Sequence, residues 1–208
     1  MIELFYANTP NGKKISIMLE EINYPYKITL IDLKKNEQFN TKFRLISPFS
    51  KIPVITDHIN NISIFESGAI LIYLAEKSGK FYEKKNKILF NQWLIAQVAY
   101  VGPLLGQHHQ FHHYAPGKSK WGEERYFKIA KTIYKDLDER LEKSKFLAGN
   151  EYSIADIATF PWIARHPIHD IGLKNFSHLS RWYNDISKRE AVIKGFDGLK
   201  NGEKIPQI

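Results

Sequence analysis

Thr9-Pro10-Asn11-Gly12 puts a hydroxyl and a carboxamide two residues apart at the start of an expected helix. Both groups can donate a hydrogen bond without becoming charged. A helix start adds free N–H groups and a partial positive charge. That combination suits a thiolate, whose pKa falls at such positions. Lowering a thiol from about 8.5 to about 6.5 takes roughly 2.7 kcal/mol of preferential thiolate stabilisation. One or two hydrogen bonds to a charged acceptor, at about 1.5–3 kcal/mol each, have that size. The chain has no cysteine, so the sulfur must arrive on a ligand. Disulfides, Cys-ligated zinc, a cysteine nucleophile and Cys-x-x-Cys redox chemistry are all excluded. The plain reading of the same residues is a well-made helix start, with Thr9 as cap and Pro10 in the first turn.

Two further stretches could bind such a ligand. In Lys51-Ile52-Pro53, a cis peptide before Pro53 would turn the Ile52 N–H and C=O toward an extended peptide; an ordinary trans bond at a strand edge is the plain reading. Glu66-Ser67-Gly68 opens a helix, where Ser67 Oγ and nearby N–H groups suit a carboxylate and Glu66 suits an ammonium. A ligand with both charges on one carbon is an amino acid. The plain alternative is a first turn that favours Glu and Ser. The run Gln107-His108-His109-Gln110-Phe111-His112-His113 places two His pairs at i and i+4. No His-Glu-x-x-His pattern accompanies them and no further ligand is evident, so a metal is not expected. A polar helix end facing a cleft, with rings that stack on or donate to an anionic ligand, is the expectation.

The elements that must position these groups follow from periodicity. Residues 2–6 form a strand, and Ile15, Met18, Leu19 and Ile22 mark a helix ended by Asn23-Tyr24-Pro25. Tyr26, Ile28 and Leu30 alternate as a second strand, completing a βαβ unit. Gln38 to Ile46 is expected as a short helix broken by Ser47-Pro48. Val54–Thr56 and Ser63–Phe65 form a hairpin, and Glu66 to Lys77 a helix stopped by Ser78-Gly79. A polar, basic linker runs from Lys80 to Asn86. Helices follow over 88–113, with Gly102-Pro103 as a kink, over 121–143, from the capping box Ser153-Ile154-Ala155-Asp156, and over Ser177–Arg189. The last dozen residues are expected as a loose tail. Phe160-Pro161-Trp162 and Trp182-Tyr183 are expected in the core.

The 208 residues suffice for one large or two small domains, and 43% hydrophobic with 25% charged content is ordinary for a globular chain. There is no uninterrupted run of 18 apolar residues and no basic, apolar leader at Met1, so no membrane partner and a cytoplasmic location are expected. The net charge of +8 is spread along the chain, with pairs such as Lys13-Lys14 as the longest basic runs. A nucleic-acid face would concentrate it. A generally basic surface that attracts acidic metabolites is the better reading.

These three stretches, in this order and ahead of an all-helical half, resemble the glutathione transferase superfamily from Met1 to about Gly195. The finer resemblance is to the bacterial Nu class, the disulfide-bond reductase type. It rests on Thr9-Pro10-Asn11-Gly12-Lys13, Gln38-Phe39, Ser47-Pro48 with Lys51-Ile52-Pro53, Phe65-Glu66-Ser67-Gly68-Ala69, Gly102-Pro103-Leu104-Leu105-Gly106-Gln107 and the histidine-rich run ending in Ala115-Pro116. The resemblance implies an α/β thioredoxin-like N-terminal domain, residues 1–79, that binds glutathione, and an all-α C-terminal domain, residues 87–208. It implies that Thr9 and Asn11 bond the glutathione sulfur as catalytic residues. Ile52, before a cis Pro53, would pair with the cysteinyl backbone. Glu66 and Ser67 would hold the γ-glutamyl amine and carboxylate, and Gln38 and Lys51 the remaining polar ends. Arg125, in Glu-Arg-Tyr, would reach across a homodimer interface. Tyr6 is the alternative thiol partner, because many transferases use a tyrosine near the end of the first strand.

Glutathione is then a co-substrate, with no metal. The leading function is reduction of small disulfides by bound glutathione thiolates. Conjugation of glutathione to organic electrophiles, or reduction of organic peroxides, uses the same site. A non-catalytic glutathione- or protein-binding module is the reading from a different class.

Overall fold

Ile2–Tyr6 (β1) alternates buried and half-buried residues, the signature of a strand with one covered face. In the computed structural model, which describes all residues from Met1 to Ile208, β1 pairs in parallel with Tyr26–Leu30 (β2) after the crossover helix Pro10–Glu21 (α1). On its other side β1 runs antiparallel to Val54–Asp57 (β3), which turns back as Ile62–Phe65 (β4). The sheet order is β2-β1-β3-β4. Ser67–Ser78 (α3) packs on α1. The β3–β4 turn is tied down by Asp57, whose carboxylate accepts from Ile59 N, Tyr73 Oη and Lys77 Nζ. Burial alone would raise this carboxyl, but those donors outweigh it and hold it low.

Between β2 and β3 the expected helix over 38–46 is replaced by 3-10 turns at Leu33–Lys35 and Glu37–Phe39, then the short helix Thr41–Arg44 (α2). Asparagines cause the breaks. Asn36 sits at φ +60°, and Asn40 Oδ1 accepts from Lys42 N to start a new helix.

The chain divides into two compact units, Met1–Glu83 with Arg189–Lys204 and Lys84–Lys188 with Ile205–Ile208. The second unit holds Lys87–Ala96 (α4), Gly102–His108 (α5), Lys120–Glu142 (α6), Ile154–Ile163 (α7) and Ser177–Ser187 (α8). Gly102-Pro103 does not break the chain of helices. Instead Gln97–Val101 adopts π-helical bonding just ahead of Pro103, which accommodates a residue with no N–H to give. A second π-helical stretch spans His109–Tyr114. The continuous run Lys84–Tyr114 is long and apolar enough to cross a membrane by length and composition; here it packs on α6 and α7.

Asp156 organises this unit. Its Oδ1 accepts from Leu147 N and Trp182 Nε1 at 2.9 and 2.8 Å, and its Oδ2 from Ser153 N and Ser153 Oγ. Burial pushes its carboxyl up to about 6 despite these donors. Phe160, Trp162, Trp182 and Tyr183 are buried as expected.

The histidines are corrected by the structure. His108 and His109 do not face a cleft; they are core residues. The His108 Nε2–H donates to His169 O at 3.0 Å, and His109 stacks between Trp162 and His169. Tyr134 Oη shares a 2.7 Å hydrogen bond with His169 Nδ1. Phe127 and Tyr134 of α6 and the ring of Trp162 pack against these imidazoles and cover them. Within the run, His112, bonded to Asp170, and His113 reach the surface. No group of three His, Asp or Glu side chains converges as a metal set.

Glu190–Phe196 (α9) is a separate helix that packs on α1. The expected single helix to Arg189 ends at Ser187, because Arg189 turns away in extended conformation to grip Glu21 with two hydrogen bonds of 2.6 and 2.8 Å. Gly195 allows the close approach, since a Cβ there would strike the Ile17 backbone. The tail is not loose. Asp197 accepts from Asn201 N and Gly202 N, Glu203 pairs with the buried Lys13, and Tyr183 Oη donates to Pro206 O.

Two stability predictions follow from these cores. Asp156→Asn places an NH2 where Ser153 N–H must donate, and should cost about 2–4 kcal/mol, read as a lower denaturant midpoint at unchanged slope. Burial also holds the His109 imidazole at about 3 and that of His169 well below the 6.5 of a free ring. The folded chain therefore binds fewer protons, so stability is intact above about pH 6.5 and is lost as pH falls, by up to about 1.4 kcal/mol per pH unit for each ring. The thermal midpoint should drop on acidification, and His109→Phe should reduce that drop.

Candidate functional site

The head of α1 is built as its residue types require. Thr9 is extended, and its Oγ1 accepts from Gly12 N at 3.1 Å. The Thr9 O–H proton therefore remains free to donate outward. Gly12 lies so close to Ala7 O that any Cβ would strike it, which pins the approach of β1 to the helix. Asn11 follows on the first turn and lines a cleft in the first unit. Tyr6 does not. It is fully buried, its hydroxyl donates to Asn8 Oδ1 at 3.4 Å, and burial raises its pKa well above that of a free phenol.

The opposite wall is the segment from Ser47 to Pro53. Ser47 Oγ donates to Lys51 O at 2.7 Å and accepts from Lys51 N at 2.9 Å, clasping the loop. The Ile52–Pro53 peptide is cis. Ile52 packs on the small core of Ile31, Phe43 and Val54, which anchors the loop from below. Lys51 is exposed at the rim, and the exposed rings of Phe49 and Phe65 meet edge-on beside it.

The floor is the head of α3. Glu66 precedes it with φ +69° and ψ 118°, a conformation that side chains rarely adopt. Its carboxylate caps nothing and is exposed. The first helical bond runs from Ile70 N to Glu66 O, so the Ser67, Gly68 and Ala69 N–H groups precede the helix ladder. Ser67 is buried, and its Oγ lies 3.2 Å from Lys14 Nζ. The cleft thus combines the positive ends of two helices, a cation at the rim and one exposed carboxylate. It is arranged for an extended zwitterionic molecule with further anionic groups.

A larger cavity of about 640 Å³ lies along β2, α9 and the tail. Several groups on its lining are already engaged: Tyr26 Oη donates to Glu20, Lys194 pairs with Glu190, and Asp197 binds turn amides.

Residues 2–76 match the sequence profile described as "Glutathione S-transferase, N-terminal domain", and residues 109–190 match "Glutathione S-transferase, C-terminal domain". The chain belongs to the glutathione S-transferase family. It is 43% identical over 199 residues to the disulfide-bond oxidoreductase YfcG of Escherichia coli, covering 92% of this chain and 93% of that one. The oxidoreductase YghU of the same organism is 35% identical, over 93% and 73% of the two chains. A Burkholderia graminis glutathione transferase solved with two glutathione molecules per subunit superposes with a TM-score of 0.89 at 35% identity, over 97% and 89%. A Pseudomonas putida glutathione transferase solved with one glutathione disulfide per subunit gives 0.89 at 34%, over 94% and 90%.

Within this transferase fold, the cleft brings together Asn11, Lys51, Ile52, Pro53, Glu66 and Ser67. Thr9 caps the helix that carries Asn11. Gln38 lies in a neighbouring 3-10 turn, with its Oε1 buried and without a hydrogen-bond partner. Arg125 is on α6 of the second unit, with its guanidinium over the Trp121 ring at 5.4 Å. Sequence reasoning missed Lys14 and the clasp made by Ser47. Lys14 follows Lys13 in what reads as a solvated basic pair, and only its helical phase, one position before the apolar Ile15, could have flagged it.

Proposed function

We propose that this chain is a glutathione-dependent disulfide-bond oxidoreductase of the Nu class. The observation that carries the reading is a cleft in which the heads of α1 and α3 and the Ile52–Pro53 backbone converge, in a chain with no sulfur nucleophile of its own. The relatives named for disulfide-bond oxidoreduction, and those solved with glutathione or its disulfide, support it.

In this reading Glu66 takes the γ-glutamyl ammonium, and Ser67 with the α3 amides takes its carboxylate. The Ile52 main chain pairs with the cysteinyl unit. Lys51 and Gln38 reach the remaining polar ends. Thr9 and Asn11 donate to the sulfur and keep it ionised at the positive end of α1. One bound thiolate attacks the substrate disulfide, forming a mixed disulfide and expelling the first substrate thiolate. A second glutathione thiolate attacks the glutathione sulfur of that mixed disulfide, forming glutathione disulfide and expelling the other substrate thiolate. Two electrons pass from two glutathiones, and solvent protonates the products. The protein supplies orientation and charge stabilisation.

The division into a glutathione-binding domain, residues 1–79, and a helical domain, residues 87–208, belongs to the same reading, as does a cytoplasmic homodimer. The exposed Trp121 on α6, whose ring the Arg125 guanidinium covers, favours a partner surface across which Arg125 would reach a bound glutathione.

With glutathione present, 2-hydroxyethyl disulfide should turn over faster than an aryl halide; the absence of disulfide turnover would overturn the reductase reading. Thr9→Ala and Asn11→Ala should each lower kcat by about tenfold or more, the loss of one charge-assisted bond, with little change in KM. Ser67→Ala should instead raise the KM for glutathione by a similar factor. The reverse pattern would exchange these roles.

A further inference from the structure

Asn8 is exposed and the chemistry above does not use it, yet it stands at the bend that sets Thr9. Thr9 N donates to Ala7 O at 2.7 Å, so β1 passes into α1 through a three-residue turn with Asn8 at its apex. One bond of that kind leaves the apex free to swing unless something outside the turn holds it. Tyr6 Oη reaches Asn8 Oδ1 only at 3.4 Å, which is long. The firm contact comes from 195 residues away, where Glu203 accepts from Asn8 Nδ2 at 2.8 Å. The other oxygen of Glu203 pairs with Lys13 Nζ, and the Lys13 N–H bonds to Thr9 O. One carboxylate therefore grips the chain on both sides of Thr9-Pro10-Asn11-Gly12.

We propose that Glu203 is a positioning residue for the thiol chemistry: by holding Asn8 ahead of the α1 head and Lys13 behind it, the carboxylate fixes where Thr9 Oγ1 stands against the bound sulfur. This rests on the glutathione reading of the cleft. Compensating the buried Lys13 ammonium would occupy one carboxylate oxygen; the second is spent on Asn8, and the role in the reaction enters there. A misplacement of about 1 Å at a group that orients a reacting atom can cost up to about a hundredfold in rate, so a turn held by one internal bond gains from an outside clamp.

A clamp must itself be fixed, and the tail is. Asp197 accepts from Asn201 N and Gly202 N at 2.9 and 3.0 Å, and Lys200 N donates to Asp197 O at 2.8 Å, which closes the turn that delivers Glu203. Ahead of that turn, α9 is seated on α1. Ser16 Oγ donates to Gly195 O at 2.6 Å, and Lys13 Nζ donates to Phe196 O at 3.0 Å while lying 3.6 Å from the centre of the Phe196 ring. Lys13 is buried, whereas a third of the Glu203 side chain is exposed. The charge-assisted bond to Lys13 thus anchors the carboxylate from within, and the carboxylate passes that anchorage to an exposed apex.

The test is steady-state reduction of 2-hydroxyethyl disulfide by the full chain with glutathione. Asn8→Ala changes no charge and lies at an exposed position. It should lower kcat about fivefold or more with the KM for glutathione near wild type, and it should raise the thiol pKa of bound glutathione, followed by thiolate absorbance. Glu203→Met should lower kcat likewise. Glu203→Gln should restore most of it, because its carbonyl accepts from Lys13 and its NH2 donates to Asn8 Oδ1 once that amide turns over. In a Thr9→Ala background, Asn8→Ala should add little further loss. Should loss of the Lys13 pair unfold Glu203→Met, Asn8→Ala decides alone. Wild-type kcat in Asn8→Ala, losses that multiply in the Thr9→Ala background, or a Glu203→Gln chain no better than a folded Glu203→Met chain overturns the role of Glu203 and leaves the glutathione site standing. Wild-type protein that neither binds glutathione nor reduces the disulfide overturns the glutathione reading and this proposal with it.

Discussion

Two helices begin at the same end of one small sheet, and their packing against each other sets the character of the cleft. α1 brings Asn11 and the capped turn of Thr9; α3 brings Ser67 and the strained residue Glu66. Each helix head is a modest source of positive potential by itself. Placed side by side, with Lys14 and Ser67 in contact between them, the two heads give the site a backbone contribution to its positive potential that is fixed before any ligand arrives. That preorganisation is what electrostatic stabilisation of an anion requires. Gly12 keeps the head of α1 tight against Ala7, and Ser47 clasps the loop that carries Ile52. Both serve the same placement.

A chain without cysteine that matches a thiol-handling family separates two tasks that other redox folds combine in one residue. The reactive atom is brought in, and the protein contributes position and field. Short neutral donors such as Thr9 and Asn11 suit this division, because they can stabilise a thiolate without competing with it for a proton. Tyr6 shows the contrast. It is close in sequence and chemically able, but its ring belongs to the core and its hydroxyl is committed to Asn8.

The second unit uses buried polar groups for architecture. Asp156 gathers four donors from three segments, and His108, His109 and His169 form a stacked, neutral core with Tyr134 and Trp162. Imidazoles can serve as aromatic packing only while uncharged, so this interior is suited to neutral pH and is exposed to acid. The same ring chemistry that makes a histidine run look like a ligand site makes it usable as core.

Local chemistry was legible wherever neighbours in sequence decide the structure. The Thr9 and Ser153 caps, the alternation of β1, and the helix start at Ser67 all depend on residues a few positions apart, and they formed as expected; β2 formed as a strand, but Leu30 at its end is exposed rather than covered. The absent cysteine was legible outright. Tertiary structure decided what depends on distant partners. Arg189 left its helix because Glu21 lies across the unit, the tail was held because Lys13 and Tyr183 reach it, and His109 became core because Trp162 and His169 cover it. Lys14 is the sharpest case. Its sequence neighbours describe a solvated lysine pair, and only the packing of α3 over α1 makes it a buried cation under Ser67. A charge takes its meaning from its dielectric surroundings, and those are created by the fold.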